Sequence, residues 1–418
     1  MGSFKIILTI RIPRCQHIYI ETMNIIIKDR NLLILFIVSF LFFFNEALLL
    51  PTLPLYLSDS NYTNLELGIV LGAFALGVLA LRPFAGMLTD RKSRKQALII
   101  GILIFFVSPV LYIISANFWY LIAVRFFHGI GISFFTTAWP TTVADIAPED
   151  QRGEILGQMS IASTVSFAFG PLVGFSIYAN FGITWVLVAC TAAGSITLIL
   201  GLFIGETFTG YVKKTAVPFR QVFFNRILLI VSATVLIHAL IDGSLFTFLP
   251  IMLKNELGLN AGLYFTINAI SMVIFRFYTS HLSDRFGRGP MFFYSTLVFL
   301  ASVILIANIE SMSGLVFAAA LNGIGAAGFL PALTAFIVDT SDQKSRGSVF
   351  SIFYGAYDIG VLLAGMILGY FADFMGYSSM FYLAAVLGLL SLIFFTIFVQ
   401  PGIRYSVRWT IKGKIFRS

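Results

Sequence analysis

Six ionisable side chains stand inside otherwise apolar stretches of this 418-residue chain: Glu46, Arg125, His128, His238, Asp242 and Asp358. A charge at such a place is costly unless it is paired or reached by water, so each points to work done with charge. A buried carboxylate can take up a proton on one side of a barrier and release it on the other. Asp358 leads the candidates for that role: it lies about 10 residues into its apolar run, near mid-depth for a helix rising 1.5 Å per residue, and has no ionisable partner close in sequence. Glu46 lies about 15 residues into the first run, or about 22 Å along it, and Asp242 holds the matching place in the seventh. Arg125 is suited to holding a neighbouring carboxylate ionised or to binding an anion. His128, and His238 one helical turn before Asp242, fit structural burial as readily as chemistry.

The elements that position these residues follow from composition. The chain is 58% hydrophobic and 11% charged, against about 25% charged in a soluble domain, so its apolar faces require lipid rather than water. A run of about 20 apolar residues crosses the hydrocarbon core as a helix. Twelve such runs are expected, at 31–57, 65–88, 96–115, 118–143, 153–179, 183–204, 226–253, 261–281, 290–308, 312–338, 348–371 and 377–399. The split at Asn180-Phe181-Gly182 rests on a very short turn. With an even count and both ends on one side, nearly all loop Lys and Arg fall on that side, which the positive-inside bias makes cytoplasmic, and the other side keeps only Lys254. The net charge of +8 is thereby a topology signal, not a nucleic-acid signal. A multi-pass protein of the cell membrane with cytoplasmic termini is expected. Residues 1–22 lack the pattern of a signal peptide and read as a dispensable extension or a mis-called start, since Met23 opens a more ordinary one.

The halves repeat. Asp90-Arg91 and Arg94 recur as Asp284-Arg285 and Arg288 at an offset of 194 residues, and Arg82 recurs as Arg276. Asp145 with Arg152 recurs as Asp339 with Arg346 at the same offset, and Gly129-x-Gly131 as Gly323-x-Gly325. Glu46 lies eight residues before Pro54, and Asp242 eight before Pro250. Such echoes imply duplication into two pseudo-symmetric bundles. The expected organisation is an extension 1–30, a six-helix bundle 31–204, a cytoplasmic linker 205–225, a second bundle 226–399 and a basic tail 400–418.

Gly86-Met-Leu-Thr-Asp90-Arg91-Lys-Ser-Arg94-Lys95 resembles the loop 2–3 signature of the major facilitator superfamily, with Ser93 where glycine is usual. His281-Leu-Ser-Asp284-Arg285-Phe-Gly287-Arg288 is a second copy, and Arg125-Phe-Phe-His128-Gly129-Ile-Gly131 resembles the helix 4 signature. Gly157, Gly170-Pro171 and Gly174 resemble the helix 5 antiporter signature, with Ser166 and Phe175 at places usually held by glycine. The resemblance covers roughly residues 31–400 and points to the twelve-helix, proton-linked efflux branch. It implies an all-α integral membrane fold and an inner latch. In that latch Asp90 faces the start of helix 11 near Gly347, Arg91 and Arg94 pair with Asp145, and Asp284, Arg285, Arg288 and Asp339 serve the other half, with Arg152 and Arg346 beside them. Glycines in helix 5 permit close backbone approach and Pro171 bends the helix, which suits a pliable element between halves.

A proton antiporter exporting a small organic molecule is therefore expected. A proton-linked uptake symporter for a sugar or organic acid, or a non-transporting membrane sensor, are the alternatives. No phosphate-binding loop, nucleophile elbow or metal-ligand spacing occurs, so no enzyme activity, cofactor, metal or nucleic-acid partner is expected. The expected partners are a small-molecule substrate, a proton and lipid, around a monomer.

Overall fold

The computed structural model describes residues 25–148, 151–208, 222–340 and 346–399. The side chains of 152–154, 277–281, 284–286, 338 and 346–348 lie outside the description. The expectations for residues 1–24, for linker residues 209–221, for the tail from 400, and for the side chains of Arg152, Asp284, Arg285 and Arg346 fall there.

Among the described residues the chain forms twelve long helices: α1 (Arg30–Asp59), α2 (Asn64–Arg91), α3 (Arg94–Ile114), α4 (Phe118–Ile146), α5 (Arg152–Met159 with Ile161–Phe181), α6 (Ile183–Leu202), α7 (Arg226–Leu257), α8 (Ala261–Phe286), α9 (Arg288–Ile306), α10 (Met312–Thr340), α11 (Arg346–Leu363, continued through Gly369–Met375) and α12 (Tyr377–Phe398). Eleven are long and apolar enough to cross a membrane. The twelfth, α8, runs over 26 residues, Ala261–Phe286.

Short polar residues start the helices by accepting orphan N–H bonds. Asp29 caps α1, Asn117 caps α4, Asn225 caps α7, and Thr63 with Glu66 forms a capping box on α2. The turn at Gly182 needs only one residue because glycine takes φ 81° there, and Gly376 repeats it at φ 79° between α11 and α12.

Two helices are interrupted. At Ser160 in α5, three hydroxyls bond back to carbonyls one turn away: Ser160 Oγ to Leu156, and Ser163 Oγ and Thr164 Oγ1 to Ser160. Such back-bonding competes with the helix ladder. In α11 a π-turn spans Ala364–Leu368. It lies where α11 crosses α2, and a Cβ on Gly68 would overlap the Gly365 carbonyl. The wider turn and the two glycines let the backbones touch.

Within the first half α2 packs on α4, α1 on α5 and α6, and α3 on α4 and α6; the second half repeats each pairing as α8–α10, α7–α11, α7–α12, α9–α10 and α9–α12. The halves meet along α2–α11, α5–α8 and α1–α7. The sequence echoes land at equivalent places in space. Gly129 abuts the Phe74 carbonyl and Gly323 the Asn268 carbonyl, both pairs related by the 194-residue offset. Phe105 against Gly131 recurs as Phe299 against Gly325.

Candidate functional site

Glu46 on α1 lies against Arg125 and His128 on α4. Arg125 Nη2 is 3.9 Å from Glu46 Oε1, and His128 Nε2 is 3.8 Å from Glu46 Oε2. Arg125 Nη1 and the Tyr112 hydroxyl of α3 both come within 3.4 Å of His128 Nδ1. A guanidinium only donates, so Nδ1 accepts and Nε2 carries the hydrogen toward Glu46. The Phe74 ring lies 4.2 Å from the Arg125 guanidinium carbon and Phe105 packs on the imidazole. Glu46 and Arg125 are 3% and 2% exposed, so the group is sealed inside the first half. Its carboxylate is held by charge at a distance rather than by tight hydrogen bonds.

The second half departs from this pattern. Asp242 on α7 meets the Tyr357 hydroxyl of α11 at 3.4 Å. Ala319 and Asn322 stand where the offset places the counterparts of Arg125 and His128. His238 occupies the register of Phe42. Phe42 stacks on Phe105 and Phe135, and His238 packs against their counterparts Phe299 and Phe329. Its ring nitrogens meet the Thr234 carbonyl at 2.9 Å and Thr296 Oγ1 at 3.1 Å. His238 is thus a satisfied core residue.

Asp358 is next in sequence to Tyr357. Its partner comes from the other half: Arg82 Nη2 of α2 lies 2.9 Å from Asp358 Oδ2. Their side chains are 29% and 19% exposed, so this pair is reachable where the Glu46 group is sealed. The ion pair is a polar tie between halves close to the middle of α11.

On the linker side the loop 2–3 cluster is assembled within each half. Arg94 Nε lies 3.1 Å from Asp145 Oδ2 and Arg94 Nη1 3.5 Å from Asp90 Oδ1, while Arg288 Nε lies 3.2 Å from Asp339 Oδ2. Arg94 also reaches the Thr89 carbonyl, and Arg288 reaches Ser283 Oγ, the residue at the same offset. Ser93, at the unusual position, is the N-cap of α3: its Oγ accepts from Gln96 N–H and donates to Glu206, just beyond α6. Thr207 bonds Asp145 and Phe208 lies under Arg94, so the first linker residues are clasped to the cluster. Burial alone would raise the Glu206 carboxyl. Bonds from Ser93 Oγ and from the N–H groups of Phe208, Lys95 and Arg94 outweigh that and hold it below its ordinary value. The clasp therefore contributes above the ordinary value and is lost as pH falls through the lowered one.

The opposite face is tied across the halves. Asp59, at the end of α1, takes Lys254 Nζ of α7 at 2.5 and 2.6 Å and the Tyr178 hydroxyl of α5. Asp373, near the end of α11, accepts from the N–H groups of Asn64 and Leu65, both at 2.9 Å, and so caps α2 from the other half. Tyr377 adds a bond to Asn64 at 2.8 Å.

A family model described as Major Facilitator Superfamily matches residues 35–265 and 231–413. The chain belongs to that superfamily. It is a multi-pass membrane transporter of the superfamily's twelve-helix fold. It is 27% identical over 373 residues to the staphylopine export protein of Staphylococcus aureus, covering 84% of this chain and 92% of that one. It is 26% identical over 384 residues to the multidrug resistance protein MdtG of Proteus mirabilis, covering 87% and 94%. Among solved structures, nucleoside transporter NupG superposes with a TM-score of 0.75 at 15% identity, over 88% of this chain and 98% of that chain. A bacterial homolog to the human lysosomal transporter Spinster, in an inward-facing and occupied conformation, gives 0.73 at 14% identity, over 88% and 95%.

Within this superfamily fold, α5 lies at the interface between halves, against α8, while its Gly170 and Gly174 face the first half. A Cβ on Gly170 or Gly174 would strike Ala47 or Leu48 of α1, in the same half, while among the described residues nothing lies within 4 Å of one on Gly86 or Gly157. Contact across the halves is made instead by Leu172 and Phe175 against Gly262 of α8. From the sequence, Arg82 stands out only as the repeat partner of Arg276, which marks it as part of the repeat rather than as a loop charge. Sequence reading singled out neither Tyr357, Glu206, Asp59 nor Asp373.

Proposed function

We propose that this transporter exports a small organic molecule in exchange for protons, by rocking of the bundles 31–204 and 226–399 about their shared interface. The observation that carries the reading is the Arg82–Asp358 ion pair, which joins α2 of one half to α11 of the other at 2.9 Å. While Asp358 is ionised, the pair holds the halves together close to the middle of α11. A proton on Asp358 removes the charge that Arg82 pairs with and frees the halves to part. Loss of the proton on the other side restores the tie. Arg82 thus reads the protonation of Asp358 directly. The Glu46–Arg125–His128 group is a second, sealed charge site whose 3.8–3.9 Å gaps leave room for a proton to redistribute.

Export is supported by the relatives, whose names are those of an export protein and a multidrug resistance protein. The linker-side face is cytoplasmic on the Lys and Arg asymmetry, in the cell membrane, and the far-face ties then make this an inward-facing or closed state. The Arg94–Asp145 cluster and its copy shape the inner latch, with Asp90 exposed and available to α11 once that face closes. The chain acts as a monomer, with no cofactor and no enzyme activity.

The test is a panel of small organic molecules in proteoliposomes with an imposed pH gradient. At least one compound is expected to accumulate against its gradient on the side from which protons leave the lumen. Accumulation that follows the proton inward with the substrate would convert the reading to uptake symport.

A further inference from the structure

The far-face tie has the makings of a ligand site with its occupant built in. Lys254 Nζ is bound by both oxygens of Asp59, at 2.5 and 2.6 Å, and lies 5.6 Å from the centroid of the Tyr178 ring. Tyr178 in turn donates its hydroxyl to Asp59. A carboxylate beside an aromatic face is the arrangement that recognises organic ammonium ions. The pair is far from sealed, with side chains 42% and 41% exposed. It opens on a cleft of about 680 Å³ lined also by Tyr56, Phe175, Asn180 and Asn260. The cleft is open enough for a small cation to reach the pair from that face.

The partition between halves gives the site its logic. Asp59 and Tyr178 belong to the first bundle and Lys254 to the second. Any parting of the halves on this face draws the ammonium away and leaves a carboxylate and a tyrosine ring without their cation. We propose that Asp59 and Tyr178 form a peripheral binding site for organic ammonium compounds, in which Lys254 is a tethered stand-in for the ligand while the face is closed. A cation leaving the transporter displaces Lys254, and by filling the vacated site it stabilises the opened face. The passage of ligand through this site rests on the export reading; the binding itself does not.

The experiment uses the full chain with Cys15 and Cys190 replaced by Ala and a single reporter, Ala179→Cys, in the cleft lining. Protection of that thiol from a membrane-impermeant maleimide by benzyltrimethylammonium is measured at equilibrium without a pH gradient. In Lys254→Gln, and equally in Lys254→Met, the half-protecting concentration is expected to fall about tenfold, because a competitor tethered at about millimolar effective concentration is gone. In Asp59→Asn it is expected to rise about tenfold, because the charge that holds the cation is lost. A plain gate contact predicts that both substitutions act alike, since each breaks the same ion pair. Shifts in the same direction, or no shift in either, would overturn the site. Opposite shifts in a protein that shows no pH-driven flux would leave the site standing and remove the export reading alone.

Discussion

Replacing Asp358 by Asn is expected to bring pH-driven flux down to the level of protein-free liposomes, with folding and equilibrium substrate binding largely intact. Asn keeps the size of the side chain and can still accept a bond from Arg82, but it carries no proton through the cycle. Folding is expected to survive because the half-buried Arg82 keeps a polar partner in the amide. Flux and binding are read on one preparation, by substrate accumulation with and without the gradient and by equilibrium dialysis. Undiminished pH-driven turnover in the variant would place coupling elsewhere, with Glu46 the first alternative.

Arg125→Met alone is expected to destabilise the protein by about 3–5 kcal/mol, the loss typical when one member of a buried ion pair is left behind. Glu46 would then stand 3% exposed without its guanidinium. The double variant Glu46→Gln with Arg125→Met is expected to recover most of that loss, because a buried pair costs desolvation that neutral side chains of similar size do not. Unfolding midpoints of the two single variants and the double variant in one detergent give the coupling. Strictly additive effects would mean that the 3.8–3.9 Å separations reflect packing alone and that the three side chains do not act as a unit.

The spans were legible because a lipid-crossing helix needs a long apolar run, and the repeat was legible because paired Asp, Arg and Gly residues recur at one offset. The interruptions at Ser160 and at Ala364–Leu368 were not. Neither holds a proline, and each depends on what the helix meets, hydroxyl back-bonding in α5 and the Gly68–Gly365 crossing in α11. The buried charges were legible one by one, since each stands out in an apolar run. Their pairings were only partly so. Arg125 and His128 share a helix face three residues apart, but that Glu46 meets both is a fact of α1–α4 packing. The Arg82–Asp358 pair joins opposite halves, and its arginine looked like an ordinary residue of a helix end. The far-face site was hidden for the same reason. Asp59, Lys254 and Asp373 lie near helix termini, where charge is cheap and common. Asp242 shows how far symmetry misleads. Its register matches Glu46 through Pro54 and Pro250, yet the equivalent positions of α10 hold Ala319 and Asn322 in place of the cation and imidazole, and a tyrosine answers it instead.

Alternating access itself is tested most directly by locking the far face. Cysteines at 59 and 254, in a background without Cys15 and Cys190, place two thiols where the Asp59–Lys254 tie closes α1 on α7. Joined by a short cleavable bifunctional thiol reagent, the protein is expected to carry no substrate in proteoliposomes, and reductive cleavage of the bridge is expected to restore flux. Substrate flux that continues with the bridge intact would contradict the rocking of two bundles about a shared interface.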